Sequence, residues 1–369
     1  MKLKYYSLSL LAVTALATWA AAKELPLGLP PVPIPIDNLQ DPVKIKLGDK
    51  LFNDKRFSST GEVSCATCHA REKAFTDSPL SVSEGVMKKS GTRNAPTVIN
   101  AAYFHSQFWD GREPDLESQS GQPLLNPVEH GLKDYSPILE IVRTDPEYQS
   151  LFKEVFSKEG EDITIDEVKK AIASFERTII SGDSPFDRYY YGRDKGAMSE
   201  AAVRGFKVFV GQGRCVSCHT MTNTHALFTD NRFHNLGVSF SRIDKDLKEM
   251  ATAFTKAKNK GTNVDIAVLT NQNISELGRF AITGQWRDIG SFKTPGLRNV
   301  EVTDPYMHDG SLMTLDDVVE FYNLGGILEE GDTVNSFQSG GIRPLNLSDE
   351  QKSDLVEFLG ALTSPEYKK

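Results

Sequence analysis

The sequence predicts a mainly α-helical protein with long irregular connections, organised as two halves. Apolar residues recur at helical spacing behind recognisable N-cap residues, and no long segment alternates apolar and polar residues as a half-buried strand does. One cysteine-containing pattern also occurs twice, 150 residues apart. A chain of 369 residues is about two domains long, so each half has the size of one domain.

The helices can be placed from their first residues. Asp41 is followed by proline, which is favoured at the first helical position, and Thr164 forms a capping box with Glu167. Further helices are expected to begin at Ser199, at Thr314 and, with Gln351 in the first turn, at Ser348. The residues expected to face inward are Val43, Leu47 and Leu51 in the first helix, Val168, Ala171, Ile172, Phe175 and Ile179 in the second, Val203, Phe206 and Val210 in the third, and Leu355, Phe358, Leu359 and Leu362 in the last.

The chain can be divided at a polar, glycine-containing and aromatic stretch that covers residues 181–197. This division predicts an N-terminal domain over 41–190 and a C-terminal domain over 191–369. The proline-rich residues 23–40 are expected to form an extended arm on the surface. Residues 241–275 form a polar, lysine-containing insertion, which we interpret as a loop that faces a partner.

The first 22 residues have the layout of a secretory signal peptide. Lys2 and Lys4 precede the uncharged apolar run 8–17, and three alanines end just before Lys23. An uncleaved membrane anchor is the alternative, but the apolar run is shorter than the roughly 20 residues that a span needs. The mature protein is therefore expected in the periplasm and not spanning the membrane.

Charge and cysteine content exclude several classes of protein. The formal net charge of −8 disfavours a nucleic-acid-binding protein, which would normally be basic, and is compatible with a basic protein partner. Four cysteines are too few for a disulfide-stapled scaffold of this length.

All four cysteines lie in two C-x-x-C-H segments, at 65–69 and 215–219. This is the attachment sequence of c-type haem, in which both thiols bond to the porphyrin and the adjacent histidine ligates the iron. Two C-x-x-C disulfides or a Cys₄ zinc site are the alternatives, but a zinc site does not need a histidine directly after each pair. The sequence therefore predicts two covalently bound haems, attached through Cys65, Cys68, Cys215 and Cys218, with His69 and His219 as the proximal ligands.

Five further segments carry a resemblance to a known family. They are 93–97 (RNAPT), 107–112 (QFWDGR), 126–129 (NPVE), 297–300 (LRNV) and 303–310 (TDPYMHDG). Together with the two haem motifs, they make nearly the whole mature chain resemble the bacterial di-haem cytochrome c peroxidase superfamily, including its MauG-like branch. The resemblance implies two cytochrome c-like haem domains packed against each other around a calcium site, and a haem enzyme that acts on hydrogen peroxide.

The resemblance also implies a set of catalytic residues near the first haem. Glu129 and Gln119 match the distal pair, and Glu129 could serve as a general acid and base while Gln119 holds the peroxide. Pro123 fills the small position between them, and Trp109 matches the electron relay between the haems. On residue type alone, Glu129 would be an exposed loop carboxylate and Trp109 a core aromatic residue.

Two departures from the commoner peroxidase pattern are informative. No histidine occurs between His69 and His105, and Val86 or a neighbour stands where many members carry a distal histidine. The first haem is therefore expected to be open to peroxide without prior reduction. Tyr322 stands nineteen residues after Thr303, where typical members have a methionine ligand and MauG-like members a tyrosine.

Tyrosinate is a hard anionic ligand that should lower the potential of the second iron and stabilise a high-valent state. A buried tyrosine that continues an apolar helix face is the alternative, and Met307 and Met221 are rival ligands. MauG also has an exit tryptophan two residues before its second haem motif, where this chain has Gly213.

Asn94, Thr303 and Pro305 match the calcium site of the family. Asn94 would contribute its side chain and the other two their backbone carbonyls, as suits a hard cation; a neutral hydrogen-bonded turn is the alternative. His308 is a candidate for ordering the propionates of the second haem. The remaining histidines, His105, His130, His225 and His234, are expected to be surface or hydrogen-bonded residues.

These observations favour a periplasmic, MauG-like enzyme that uses H₂O₂ to oxidise a residue on a partner protein. A cytochrome c peroxidase supplied with electrons by a small cytochrome c or a copper protein is the second hypothesis, and a non-catalytic electron-transfer module is the third. More weakly, the chain is similar to di-haem enzymes of methanotrophs that oxidise a tryptophan on a copper-binding partner.

Overall fold

A computed structural model describes residues 25–327 and 334–368 and shows a mostly helical protein, as predicted. The predicted signal peptide lies outside the described residues. A single two-stranded antiparallel sheet is present in the described part of the chain, pairing β1 (Phe233–His234) with β2 (Phe292–Lys293). The α-helices are α1 (Pro42–Asn53), α2 (Cys65–Cys68), α3 (Leu116–Gln119), α4 (Gln122–Leu125), α5 (Ser136–Thr144), α6 (Pro146–Phe156), α7 (Ile165–Glu176), α8 (Pro185–Tyr190), α9 (Glu200–Val210), α10 (Leu247–Asn259), α11 (Val264–Thr270), α12 (Gln272–Glu276), α13 (Phe280–Thr283), α14 (Leu315–Asn323) and α15 (Asp349–Gly360).

The five helix starts predicted from capping residues are confirmed. Asp41 accepts hydrogen bonds from the backbone N–H groups of the first turn of α1, with proline at the first helical position. Thr164, Thr314 and Ser348 each form a complete capping box, and Ser199 caps α9. Local sequence therefore determines where these helices begin, because each cap satisfies backbone donors that have no partner within the helix.

In the described part of the chain, apolar side chains form three hydrophobic clusters. The first joins α1 and α5–α7 around Phe52 and Phe152, and the second joins α8, α9 and α15 around Phe186 and Phe358. In both clusters, two helices cross at a glycine, whose missing side chain lets the backbones approach closely. A Cβ on Gly48 would lie 2.0 Å from the carbonyl oxygen of Ala171, and a Cβ on Gly205 would lie 1.8 Å from the carbonyl oxygen of Asp354. These close approaches hold α1 against α7 and α9 against α15, so that each pair supports one haem-attachment motif.

The third cluster corrects the interpretation of residues 241–275 as a loop. This segment folds into α10, α11 and α12, and its apolar residues pack with those of α13. Leu247, Ala251 and Phe254 lie on one face of α10, and Val268 of α11 is fully buried. The apolar residues are spaced three and four apart within a polar composition, which is the pattern of an amphipathic helix.

The N-terminal arm lies without helix or strand against later parts of the chain. The carbonyl oxygen of Gly28 accepts hydrogen bonds from the Arg298 guanidinium at 2.7 Å and from the Ala226 N–H at 3.0 Å. Gly28 has a φ of +84°, and a Cβ there would overlap the Asp187 carboxylate. Within the described ranges, 25–327 and 334–368, no helix combines the length and apolar character needed to cross a bilayer.

Candidate functional site

The first C-x-x-C-H segment forms α2 and presents a histidine suited to binding a metal. Nδ1 of His69 lies 3.2 Å from the carbonyl oxygen of Phe75. Since a carbonyl only accepts, Nδ1 carries the proton and Nε2 keeps its lone pair. Burial lowers the pKa of His69 to about 4, and the bond to Phe75 offsets this only in part. The ring is therefore neutral near pH 7, as an iron ligand requires.

The second segment repeats this arrangement in a different backbone form. Cys215–Ser217 is a 3₁₀ turn, and Nδ1 of His219 lies 2.8 Å from the carbonyl oxygen of Phe228. Burial lowers the pKa of His219, so this ring too is neutral near pH 7, with the proton on the Nδ1 that faces the Phe228 carbonyl. Both histidines thus have the backbone hydrogen bond that fixes the ring of a metal-ligating imidazole.

A cavity of about 560 Å³ lies beside the second segment, within the size range of cofactor sites. Its walls include Cys215, Cys218 and His219, and Tyr322 of α14 lines it as well. The residues present fit a covalently attached haem, because both thiols, a neutral histidine and a large, mostly apolar space occur together.

Tyr322 and the methionines proposed as rival ligands differ in their position. Tyr322 and Met307 both line the cavity, whereas Met221 is not among its lining residues and packs against the second hydrophobic cluster. Burial, with the nearby Cys215 and Cys218, raises the pKa of Tyr322. A positive metal centre would oppose this effect by stabilising the phenolate.

Trp109 also lines this cavity, and its backbone and side chain are both held. The indole N–H donates to the carbonyl oxygen of Asn94 at 2.9 Å, and the Lys293 N–H donates to the Trp109 carbonyl at 2.7 Å. Trp109 is therefore fixed between β2 and the segment that contains Asn94.

Glu129 lies in the first half, in a segment that is tied to Val86. The Val86 N–H donates to the carbonyl oxygen of Glu129 at 2.8 Å. The side-chain Oε2 is buried and accepts no hydrogen bond. Burial and repulsion from Asp265, offset only in part by Arg112, raise the pKa of Glu129 to about 8. Its charge also contributes to raising the pKa of Cys68, so the carboxyl group lies near the first attachment motif.

Gln119 and Pro123 lie on the two short helices before Glu129. Gln119 is the last residue of α3, and Pro123 is in the first turn of α4. The carbonyl oxygen of Pro123 accepts the His130 N–H at 3.2 Å, which brings α4 next to the Glu129 segment. In the part of the chain that the structure describes, no hydrogen bond joins Gln119 to Glu129.

A buried network of charges borders the Glu129 site, and sequence reasoning missed it. Nη1 of Arg93 lies 2.6 Å from Oδ2 of Asp110, and Nη1 of Arg112 lies 3.1 Å from Oδ1 of the same carboxylate. Nε of Arg112 also donates a hydrogen bond to Oδ1 of Asp265 at 2.7 Å. Although burial alone would raise the pKa of Asp110, the two guanidinium groups lower it to about 2. Asn126 donates to the other oxygen of Asp265 at 2.7 Å.

Three charged members of this network lie in the segments that carry the family resemblance, so the sequence contained a signal for it. Arg93, Asp110 and Arg112 occur in RNAPT and QFWDGR. Asp265 lies more than 130 residues from its partners in a segment interpreted as a loop, and no local pattern identifies it. Helix α11 therefore reaches back from the second half to the first-half site.

The three predicted calcium-binding residues line the same cavity. The backbone carbonyl oxygens of Thr303 and Pro305 accept no hydrogen bond from the residues that the structure describes. The Asn94 side-chain N–H₂ makes only long contacts, of 3.3 and 3.4 Å, to backbone oxygens. Free carbonyl oxygens beside an amide oxygen are suitable donors for Ca²⁺.

The remaining histidines are hydrogen-bonded or exposed, as expected. His130 lies 2.8 Å from the carbonyl oxygen of Phe57, His234 lies 2.9 Å from Asp230, His225 contacts threonine hydroxyls and His105 is exposed. His308 lines the cavity, but its Nε2 lies 2.8 Å from the Glu276 carboxylate and its ring stacks on Phe292 at 3.7 Å.

Comparison with known proteins identifies the family. The model of the family "Di-haem cytochrome c peroxidase" matches residues 42–195. The chain is 37% identical to cytochrome-c peroxidase IdrP1 of Denitromonas iodatirespirans, over 96% of this chain and 92% of that protein. This chain belongs to the di-haem cytochrome c peroxidase family. It is thus a haem oxidoreductase of a family that acts on peroxide and carries two haem groups.

The relatives include proteins named cytochrome c peroxidase and proteins named MauG. The chain is 34% identical to the methylamine utilization protein MauG of Methylorubrum extorquens, over 90% of this chain and 81% of that protein. It also matches the crystal structure of a MauG-like protein associated with microbial copper homeostasis, with a TM-score of 0.75 and 30% identity, covering 95% of this chain and 99% of that one.

Proposed function

We propose that this protein is a periplasmic, MauG-like di-haem enzyme that uses H₂O₂ to oxidise a residue on a partner protein. The observation that carries the proposal is the position of Tyr322, which lines one cavity together with Cys215, Cys218 and His219. A phenolate on the second iron favours retaining oxidising equivalents, whereas a methionine favours rapid electron supply.

In this proposal the two halves hold one haem each and have different tasks. Cys65, Cys68 and His69 would hold the first haem, which would supply the metal at which H₂O₂ is reduced. Glu129 accepts a proton from the entering peroxide and returns one to the leaving oxygen. The free Oε2 and a pKa near neutrality suit this task, because an efficient general base titrates near the working pH.

Gln119, Pro123 and Trp109 complete the proposed machinery. Gln119 donates a hydrogen bond to the bound peroxide, and Pro123 keeps the space beside it small. Trp109 passes electrons between the two halves, since it lines the cavity beside the second attachment segment and its N–H is anchored to Asn94 in the first half.

The proposal includes the two-domain organisation, the calcium site and the location of the protein. A Ca²⁺ ion bound by Asn94, Thr303 and Pro305 would connect the 94 segment of the first half with the 303–305 segment of the second. A cleaved signal peptide would place the enzyme in the periplasm. Because a similar structure belongs to a protein associated with copper homeostasis, a copper-binding protein is the first partner to test.

The experiment is the addition of H₂O₂ to the purified, fully oxidised protein without prior reduction. We expect the absorption spectrum to change at once and the protein to retain two oxidising equivalents for longer than a catalytic turnover. An unreactive first haem would contradict the proposal, as would a spectrum in which nitrogen or sulfur occupies the open side of both irons.

A cytochrome c peroxidase supplied by a small cytochrome or copper protein is the second candidate. It is favoured by the names of relatives such as IdrP1, which is 37% identical to this chain. Steady oxidation of a reduced cytochrome by H₂O₂, without retention of oxidising equivalents, would support this candidate against the first.

A further inference from the structure

Trp286 is a half-exposed aromatic residue in the turn after α13. Its side chain is 45% exposed, although a tryptophan of a folded domain usually buries most of its surface. The ring packs against Phe280 at 5.6 Å and stacks on Phe337 at 6.3 Å, with an angle of 26° between the planes. The exposed indole is therefore held rigidly in place by the packing beneath it.

The packing beneath Trp286 leads to the cavity of the second half. Phe337 contacts Phe240 with ring centroids 6.1 Å apart. Phe240 lies against Gly290, where a Cβ would approach its ring to 2.9 Å, and Gly290 lines the cavity. Neighbouring aromatic rings thus extend from the solvent to the wall of the cavity in the second half.

The end of α10 near Trp286 carries several positive side chains, in contrast to the acidic chain as a whole. Residues 250–264 contain three lysines and no acidic residue, whereas the chain has a net charge of −8. Lys258 anchors the end of α10 to the Trp286 region by donating to the carbonyl oxygen of Ala281 at 2.9 Å. Lys256 and Lys260 on either side of it are exposed, and Arg287 next to Trp286 is 80% exposed, with its Nε 3.9 Å from the Asp288 carboxylate.

We propose that Trp286, Lys256, Lys260 and Arg287 form the surface through which the second haem exchanges electrons with an acidic redox protein. The positive side chains attract the acidic face of the partner, and the indole makes the central apolar contact. In the exchange, one electron passes from the partner to the oxidised second half, so the partner is oxidised by one electron and this protein is reduced by one. The inference rests on the proposed function for the direction of that electron.

Small redox ions of opposite charge test this surface without peroxide or a partner. The holoprotein with both haems reduced is mixed anaerobically with ferricyanide, an anion, or with hexaammineruthenium(III), a cation, and haem oxidation is followed by stopped flow. Each ion takes one electron from one haem. We expect the double variant Lys256→Glu/Lys260→Glu to slow oxidation by ferricyanide about tenfold at low ionic strength. The same variant should speed oxidation by the ruthenium complex.

The matched control is Lys55→Glu/Lys133→Glu, which makes the same charge change at exposed positions of the first half. It should alter neither rate by more than the change in overall charge requires. Equal effects of the two double variants would overturn the proposal, because they would show that only the net charge matters. Failure of the proposed peroxide reaction would leave this result unaffected, since the assay contains no peroxide.

Trp286→Ala separates the aromatic contact from the charge. We expect it to slow oxidation by both ions several-fold, whereas Met313→Ala, which removes another half-exposed apolar side chain of the same half, should change neither rate. Unchanged rates in Trp286→Ala, with a circular dichroism spectrum like that of the parent protein, would contradict the role of Trp286.

Discussion

The two C-x-x-C-H segments are alike in how they hold their histidine and differ in the second polar residue found near them. On the attachment side, His69 and His219 each direct Nδ1 to a backbone carbonyl, and burial keeps both rings neutral. Near the first segment lies the unpaired carboxyl group of Glu129, and the cavity beside the second segment contains the phenol of Tyr322. The shared motif therefore fits one way of holding a haem, and we propose that the second residue, carboxyl or phenol, determines what each haem can do.

Burial has different consequences for Glu129 and for Tyr322. It raises the pKa of Glu129 to about 8, which makes the carboxyl group able to exchange protons near neutral pH. It also raises the pKa of Tyr322, which keeps the phenol protonated unless a cation binds it. The first site is thereby suited to proton transfer and the second to metal ligation.

Among the changes that test this difference between the two sites, replacement of Glu129 should have the largest effect. Glu129→Gln keeps the shape of the side chain but removes the base, so the rate of reaction with H₂O₂ should fall about a thousandfold. Stopped-flow spectroscopy at the Soret band measures this rate. The spectrum of the second haem should not change.

Glu176→Gln is the control for this variant. Glu176 is also buried in the first half, and burial likewise raises its pKa to about 8. Its replacement should leave the peroxide rate within a few-fold of the parent value. An equal loss in both variants would mean that burial of any carboxylate, and not the position of Glu129, controls the reaction.

The pH dependence of the same rate should be the next largest effect. The base form of Glu129 is populated above its raised pKa, so the rate should increase with pH up to about 8 and then level off. Between pH 8 and pH 6 we expect a decrease of about fiftyfold, because the base form falls from about half of the molecules to about one in a hundred. A rate that stays constant over this range, or that follows the same curve in Glu129→Gln, would exclude Glu129 as the base.

Tyr322→Phe should have a smaller effect on the first site and a distinct one on the second. The peroxide rate should remain within a few-fold of the parent rate, while the spectrum of the second haem changes and the lifetime of the oxidised protein shortens on the order of tenfold. Absorption and electron paramagnetic resonance spectra check both expectations.

Tyr306→Phe is the matched control, because Tyr306 lines the same cavity but its hydroxyl donates to the Val300 carbonyl oxygen at 3.0 Å. If the two variants had the same spectrum as the parent protein, Tyr322 would not be a ligand and Met307 would be the next residue to replace.

Local patterns were sufficient for some parts of the molecule and not for others. The caps at Asp41 and Thr164 and the two attachment motifs depend on residues within one or two helical turns, and a sequence contains such information directly. The contact of Asp265 with Arg112 depends on how α11 packs against a segment 153 residues earlier, and it could not be predicted. The polar composition of residues 241–275 suggested a loop, although its apolar residues had helical spacing.

Removal of calcium should have the smallest of these effects. It tests whether a bound ion joins the two halves. If Asn94, Thr303 and Pro305 bind Ca²⁺, dialysis against a chelator should lower the thermal unfolding midpoint by a few degrees, corresponding to about 1–3 kcal/mol of lost binding energy. The stabilisation should return with Ca²⁺ and less well with Mg²⁺, because Mg²⁺ demands a smaller and more regular shell. Asn94→Ala should abolish the response, whereas Asn346→Ala, at a left-handed turn far along the chain, should retain it. A chelator response that persists in Asn94→Ala would place the ion elsewhere and leave the two halves joined by packing alone.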